Sequence, residues 1–111
     1  MIFWATWCGP CKVELKRLNS LVEQQKVSPE DILAISVGES AETVRAFVDS
    51  EKLRFNIGLD SRSELARIFK VQGTPTVVLL NAQGGIDWMT MGVSPSLEYR
   101  VLSHLKINRS E

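Results

Sequence analysis

The two cysteines of this 111-residue chain stand together as Cys8-Gly9-Pro10-Cys11, directly behind an apolar, aromatic-rich run at residues 1–5. No other feature constrains the fold as strongly. Residues 1–5 have the composition of a buried strand, Gly9-Pro10 is a turn signal, and Leu15, Leu18 and Val22 then recur at helical spacing, with Lys16, Arg17 and Glu23 on the other side. A strand therefore feeds a helix through the cysteine pair. Two thiols separated by two residues at a helix start can close a small ring and can also exchange with an outside disulfide. Cys8 is the expected attacking sulfur, because its thiolate faces unpaired backbone N–H groups and the positive end of the helix dipole. Lys12, four residues on, adds positive charge.

Other uses of a cysteine pair fit poorly. Structural zinc needs two further Cys or His ligands, and the one histidine, His104, lies in the last helical stretch, so no metal site is expected. A c-type haem attachment needs His directly after the second cysteine, where Lys12 stands. With no further cysteines there is no stapling framework of the small secreted kind. The redox-active Cys8-Cys11 disulfide is thus the expected working group, with no other cofactor. The 13 basic and 13 acidic residues balance and are interspersed, so no nucleic-acid footprint is expected. The longest apolar stretch, around residues 76–80, is far short of the roughly 20 residues that cross a bilayer, and no membrane insertion of this chain is expected. Residues 1–5 read as the last part of a strand and carry no basic leader region, which leaves room for upstream residues in a longer precursor.

Length and a hydrophobic share of 44% suit one domain over residues 1–111. Ser28-Pro29 closes the first helical region, and residues 32–37 form a nearly continuous apolar strand that ends at Gly38. Ser40 offers an N-cap for a helix to about Lys52, with Val44, Phe47 and Val48 inward. Residues 55–59 read as a short strand. Ser61-x-x-Glu64 has the form of a capping box for a helix burying Leu65, Ile68 and Phe69. After the break at Gln72-Gly73-Thr74-Pro75, residues 76–80 and 86–91 predict adjacent antiparallel strands. Ser94-Pro95 places a cap before a proline at the first helical position, with Leu97, Val101 and Leu105 as the buried stripe and fraying expected from Asn108. The order argues for an α/β fold: a central mixed, mainly parallel sheet with helices on both faces and one antiparallel edge.

The segment Phe3-Trp4-Ala5-Thr6-Trp7-Cys8-Gly9-Pro10-Cys11 resembles the active-site segment of the thioredoxin superfamily. With Glu14, Val37-Gly38-Glu39-Ser40 and Val71-Gln72-Gly73-Thr74-Pro75-Thr76, the chain is most similar to the TlpA and ResA-like branch, the bacterial extracytoplasmic thioredoxins. The resemblance implies a thioredoxin fold in which residues 41–59 are an added helix and strand. It implies a thiol-disulfide oxidoreductase with Cys8 and Cys11 as catalytic residues and Trp7, Gly9, Pro10 and Lys12 completing the site motif. Pro75 is implied to be a cis-proline facing the pair, with Gly73 and Thr74 binding substrate and the Thr74 backbone pairing with an extended segment. Glu14 lies three residues after Cys11, on or beside the helix face of Leu15 and Leu18. Family position makes it a third catalytic group, a partly buried carboxyl with a raised pKa that exchanges a proton with Cys11.

Two residues depart from the family pattern. Ile2 stands where plain thioredoxins carry a buried aspartate, which leaves Glu14 as the substitute proton acceptor. Lys16 replaces a proline often found two residues after this glutamate, removing the usual cause of a kink in the first helix. Trp7 is expected at the surface and Trp4 in the core; Trp88, Met89 and Met91 are expected to pack, and His104 to face solvent.

Gly9-Pro10 between the cysteines favours a reductase. The implied partners are protein disulfides and an upstream thiol reductant acting on a monomer, in the periplasm or another extracytoplasmic space, with apocytochrome c before haem attachment as one candidate substrate. A general cytosolic reductase is the nearest alternative. A copper-binding or adaptor module would bind Cu(I) through the thiolates, although such relatives use Cys-x-x-x-Cys and a distal histidine. A peroxiredoxin would need Pro-x-x-x-Thr-x-x-Cys, and here Met1 and Ala5 stand at the Pro and Thr positions ahead of Cys8.

Overall fold

The computed structural model describes residues 1–109. Strand β1 (Ile2–Trp4) leads into helix α1 (Gly9–Glu23), and a 3-10 turn (Pro29–Asp31) precedes β2 (Leu33–Val37). Helix α2 (Ala41–Glu51), β3 (Asn56–Asp60) and the short helix α3 (Glu64–Ile68) follow, then β4 (Thr76–Leu80), β5 (Ile86–Met91) and α4 (Leu97–Arg109). The five strands form one sheet in the order β3-β2-β1-β4-β5. This is the expected thioredoxin-type arrangement, with α2 and β3 as the added pair and β3 at the sheet edge.

β1, β2, β3 and β5 run in one direction and β4 alone runs against them, as expected of a mixed, mainly parallel sheet. β1 pairs in parallel with β2 and β2 with β3, whereas β1–β4 and β4–β5 are both antiparallel. The cause is the length of α3. Its five residues span about 7.5 Å, against about 17 Å for a five-residue strand, so it cannot carry the chain back along the sheet. β4 therefore starts at the end where β3 finished, beside the cysteines, and runs the other way.

Alternation along the strands divides the core. Ile2 and Trp4 of β1, Ala34 of β2 and Val77 and Leu79 of β4 face α1, α2 and α4, meeting Leu15, Leu18, Val44, Leu97 and Val101. Phe3, Ile35 and Val78 point to the other face, against Ala66, Leu65 and Phe69. Phe3 and Phe69 meet with ring centroids 5.6 Å apart, and Trp4 and Phe47 at 5.1 Å. α1 runs without interruption, as expected where Lys16 replaces a proline.

Several element ends differ from the sequence reading. α1 stops at Glu23, before Ser28-Pro29, because Gln25 adopts a positive φ and the Lys26 and Val27 amides turn back onto Leu21 O. Ser28 instead starts the 3-10 turn, where it forms a capping box with Asp31. Ser61 and Glu64 form no such box. The Asp60 carboxylate caps α3, accepting from the Leu65 and Ala66 amides at 3.1 and 2.8 Å. Ile68 is exposed rather than buried, and Ala66 is the residue of α3 that enters the core. Pro95 lies in a turn before α4 rather than at its first position, with the Leu97 amide donating to Ser94 O. Asn108 and Arg109 continue α4, and the rest of the expected frayed tail lies outside the described residues.

Asn19, not anticipated, fastens the added unit. Buried on α1, it donates to Lys52 O at 3.1 Å and accepts from the Arg54 amide at 2.9 Å, on the connection from α2 to β3.

Candidate active site

The C-terminal end of β1 delivers the chain to the N-terminus of α1, and the cysteines sit at that junction. Cys8 is the N-cap, with its amide donating to Ala5 O at 3.2 Å. It is disulfide-bonded to Cys11 in the first turn, with Cα atoms 5.2 Å apart. The Cys11 amide donates to Cys8 Sγ at 3.2 Å. One of the amides a helix N-terminus leaves free is thus aimed at the sulfur, the arrangement that stabilises a thiolate there once the disulfide is reduced. Cys8 is 5% exposed and Cys11 0%, so an outside disulfide can meet only Cys8.

Gly9 and Pro10 are exposed, and Pro10 loses nothing because the first-turn amides have no helical partner. Trp7 projects into solvent at 76% exposure, while Trp4 is fully buried, as expected. The Lys12 ammonium lies over the Phe47 ring of α2, 5.7 Å from its centroid. The sequence reading had placed its charge in support of Cys8; its observed contact is with this ring.

The loop before β4 closes the other side. The Thr74–Pro75 peptide is cis, Pro75 is buried, and Thr74 O lies 3.5 Å from Cys8 Sγ. Two contacts fix this loop: Thr76 Oγ1 donates to Gly73 O at 2.6 Å, and the Gly92 amide donates to Pro75 O at 2.8 Å. Gly73 packs against Met91, whose sulfur would lie 3.2 Å from a Cβ at that position. Between Trp7, Val37, Ala66, Arg67, Gly73 and Thr74 lies a hollow of about 270 Å³, open to solvent. Met89 and Met91 are exposed on β5, contrary to the packing expected of them; Trp88 is half-buried beneath the Arg100 guanidinium.

Glu14 is 0% exposed, more deeply buried than expected. As the residue three after Cys11 it shares that helix face. Its Oε1 accepts from the Ser94 amide at 2.8 Å, and Oε2 has no hydrogen-bond partner among the described residues. Burial pushes its pKa up; the Ser94 hydrogen bond and the Arg17 charge pull it down, and the Glu98 charge pushes it up again. Ile2 is also buried in the core of the sheet, so β1 offers no acid at that point.

Glu39 is a residue whose role the sequence reading missed. Its carboxylate accepts from the Thr6 amide at 2.9 Å, from the Thr6 hydroxyl and from the Ser36 hydroxyl at 2.8 Å. It ties the segment leading to Cys8 to the end of β2. Gly38, at φ +71, turns the chain so that Glu39 reaches back. The available signal was an acid just past the C-terminal end of a parallel strand, where α/β sheets gather functional groups.

His104 is not solvent-facing. It meets Leu80 O at 2.6 Å and lies 3.6 Å from Asp87, at the end of β4 remote from Pro75, where it joins α4 to the β4–β5 hairpin. Among the described residues, no group of three or more His, Cys, Asp or Glu is arranged to hold a metal ion, and no helix is long and apolar enough to cross a membrane.

A sequence profile described as the AhpC/TSA family matches residues 1–89. The thiol-disulfide oxidoreductase ResA of Oceanobacillus iheyensis is 31% identical over 90 residues, covering 81% of this chain and 47% of that protein. ResA of Bacillus subtilis is 33% identical over 90 residues, covering 81% of the chain and 50% of that protein. The chain spans about half the length of these curated relatives. Among solved structures, StoA from Bacillus subtilis superimposes with a TM-score of 0.78 at 28% identity, over 92% of this chain and 78% of that one.

Proposed function

The chain belongs to the AhpC/TSA family of the thioredoxin superfamily, and on that premise we propose that it reduces protein disulfides by dithiol-disulfide exchange through Cys8 and Cys11. One observation carries the reading. A helix-terminal amide at 3.2 Å and the Thr74 carbonyl of the docking loop at 3.5 Å converge on Cys8 Sγ, the sulfur of the pair that reaches the surface.

In the reduced chain, the Cys8 thiolate attacks one sulfur of a substrate disulfide, forming a mixed disulfide and expelling the other substrate sulfur as thiolate. Cys11 then gives its proton to the Glu14 carboxylate and attacks Cys8 Sγ. The bond from Cys8 to substrate breaks, the Cys8-Cys11 disulfide forms, and the second substrate thiolate leaves. Two electrons pass to the substrate, whose two sulfurs take up the protons released by the pair. Thr74 and Gly73 hold an extended substrate segment across the site, with Trp7 at its rim.

The Gly9-Pro10 pair supports the reducing direction, and an upstream thiol reductant then restores the dithiol; no cofactor beyond the cysteine pair enters the scheme. The resemblance of residues 3–11 and 71–76 to the TlpA and ResA-like branch supports an extracytoplasmic setting and substrates such as apocytochrome c. A peroxidase reading lacks the Pro and Thr that such a site places ahead of its cysteine, since Met1 and Ala5 occupy those positions.

The test is a Cys11→Ser chain incubated with a disulfide-bonded peptide. A stable mixed disulfide through Cys8, released by dithiothreitol, is expected. If no adduct forms while the unmodified chain reduces the same peptide, the mechanism is wrong.

A further inference from the structure

Arg17 stands one turn beyond Glu14 on α1 and faces two carboxylates. Its Nε donates to Glu98 Oε2 at 2.9 Å, Nη2 pairs with Glu98 Oε1, and Nη2 also donates to Pro95 O at 3.2 Å. Nη1 lies 3.6 Å from Glu14 Oε2, the oxygen left without a hydrogen bond. That separation exceeds a hydrogen bond but remains within strong Coulomb range. The planar fork of the guanidinium is thus engaged edge-on by the α4 carboxylate, and Glu14 receives its charge without its hydrogen bonds.

We propose that Arg17, anchored by Glu98, is a positioning residue that controls how readily Glu14 takes up and releases the Cys11 proton; this rests on the reading of Glu14 given above. The charged groups facing Glu14 are Arg17 on its own helix and Glu98 on α4, and the loop before α4 adds the Ser94 amide. A free arginine beside a buried carboxylate would close on it, making an ion pair with its proton lost. Glu98 prevents this by competing for the same fork. Its own carboxyl is held below the ordinary glutamate range by the Arg17 hydrogen bonds, so it remains an ionised competitor. Without Arg17, burial and the Glu98 charge would be opposed by the Ser94 hydrogen bond alone, and Glu14 would hold its proton more tightly. The pair holds Glu14 between these extremes, as a group that must both accept and return a proton requires.

The proposal gives two substitutions opposite signs. Arg17→Met removes the cation and should raise the titration midpoint of Glu14. Glu98→Gln removes a repelling charge and frees the guanidinium, so it should lower that midpoint. A merely structural tie between α1 and α4 would be broken by either change and would shift both the same way or neither. The measurement is the pH titration of the Glu14 carboxyl carbon by NMR in the oxidised chain, with Glu14→Gln identifying the signal. Shifts of about one pH unit, upward in Arg17→Met and downward in Glu98→Gln, are expected. Arg17→Lys, which keeps a cation, should restore most of the Arg17→Met shift, and Arg17→Gln, which also removes the cation, takes the place of Arg17→Met if that variant fails to fold. Equal or same-signed shifts overturn the proposal. Failure of the underlying reading looks different: Glu14→Gln would then leave the pH profile of mixed-disulfide resolution unchanged, whatever the titrations show.

Discussion

The Ser94 amide donates to Glu14 Oε1 at 2.8 Å across a sequence separation of 80 residues, so the loop ahead of α4 closes over the carboxyl of α1. Burial there raises the Glu14 pKa. The folded chain therefore binds this proton more tightly than the unfolded one. The group favours folding most fully below the ordinary glutamate value, and that contribution is lost as pH rises through the folded value. Relative to the parent, Glu14→Gln is expected to gain stability as pH rises from the ordinary glutamate value of about 4.3 through the raised folded value. Urea unfolding across that range checks the sign, and a constant difference between the chains would contradict it. Resolution of the mixed disulfide should slow by about 10²-fold, read by stopped-flow.

Trp4 and Trp7 flank one turn of chain and should behave as opposites. Trp4→Ala empties a buried site against Phe47 and is expected to cost about 3–5 kcal/mol. Trp7→Ala removes a ring standing in solvent and should stay within about 0.5 kcal/mol while raising KM for protein substrates. Thermal unfolding beside an insulin-reduction assay separates the two effects.

Asn19→Ala leaves Lys52 O and the Arg54 amide without their side-chain partner. A loss of about 1–3 kcal/mol is expected. Amide exchange should quicken first between α2 and β3, with the cysteine chemistry preserved.

Glu39→Gln offers one acceptor oxygen where the carboxylate uses two, and sets an amide against donors from Thr6 or Ser36. Loosening the segment ahead of Cys8 should slow its attack by about tenfold or more. The rate of mixed-disulfide formation checks this, and exchange of the Thr6 amide reports the loosening directly.

Features set by spacing along the chain could be read from the sequence. Leu15, Leu18 and Val22 mark α1, Val44 and Phe47 mark α2, and the cysteine pair with Gly73-Thr74-Pro75 marks the site, because each signal is carried within a few residues. Contacts made by folding could not. Ser61 and Glu64 matched a capping pattern, but Asp60, brought to the α3 amides by the end of β3, took that role. His104 sat on what looked like a polar helix face until β4 supplied the Leu80 carbonyl. The direction of β4 depended on the length of α3, which ends at Ile68 after five residues and carries no local stop signal that sets it. Asn19 and Glu39 are polar residues whose partners lie 4 to 35 and 3 to 33 residues away, and the distant partners carry no local mark.

The burial contrast between Cys8 and Cys11 makes the reduced motif a paired reporter. Iodoacetamide should label Cys8 from the native state, at a rate that follows its ionisation. Cys11, sealed under the central strand of the sheet, should be labelled only when α1 leaves the core, at a rate set by the opening equilibrium. Two alkylation rates within one four-residue segment would then give the reactivity of the site and the stability of its scaffold from a single sample.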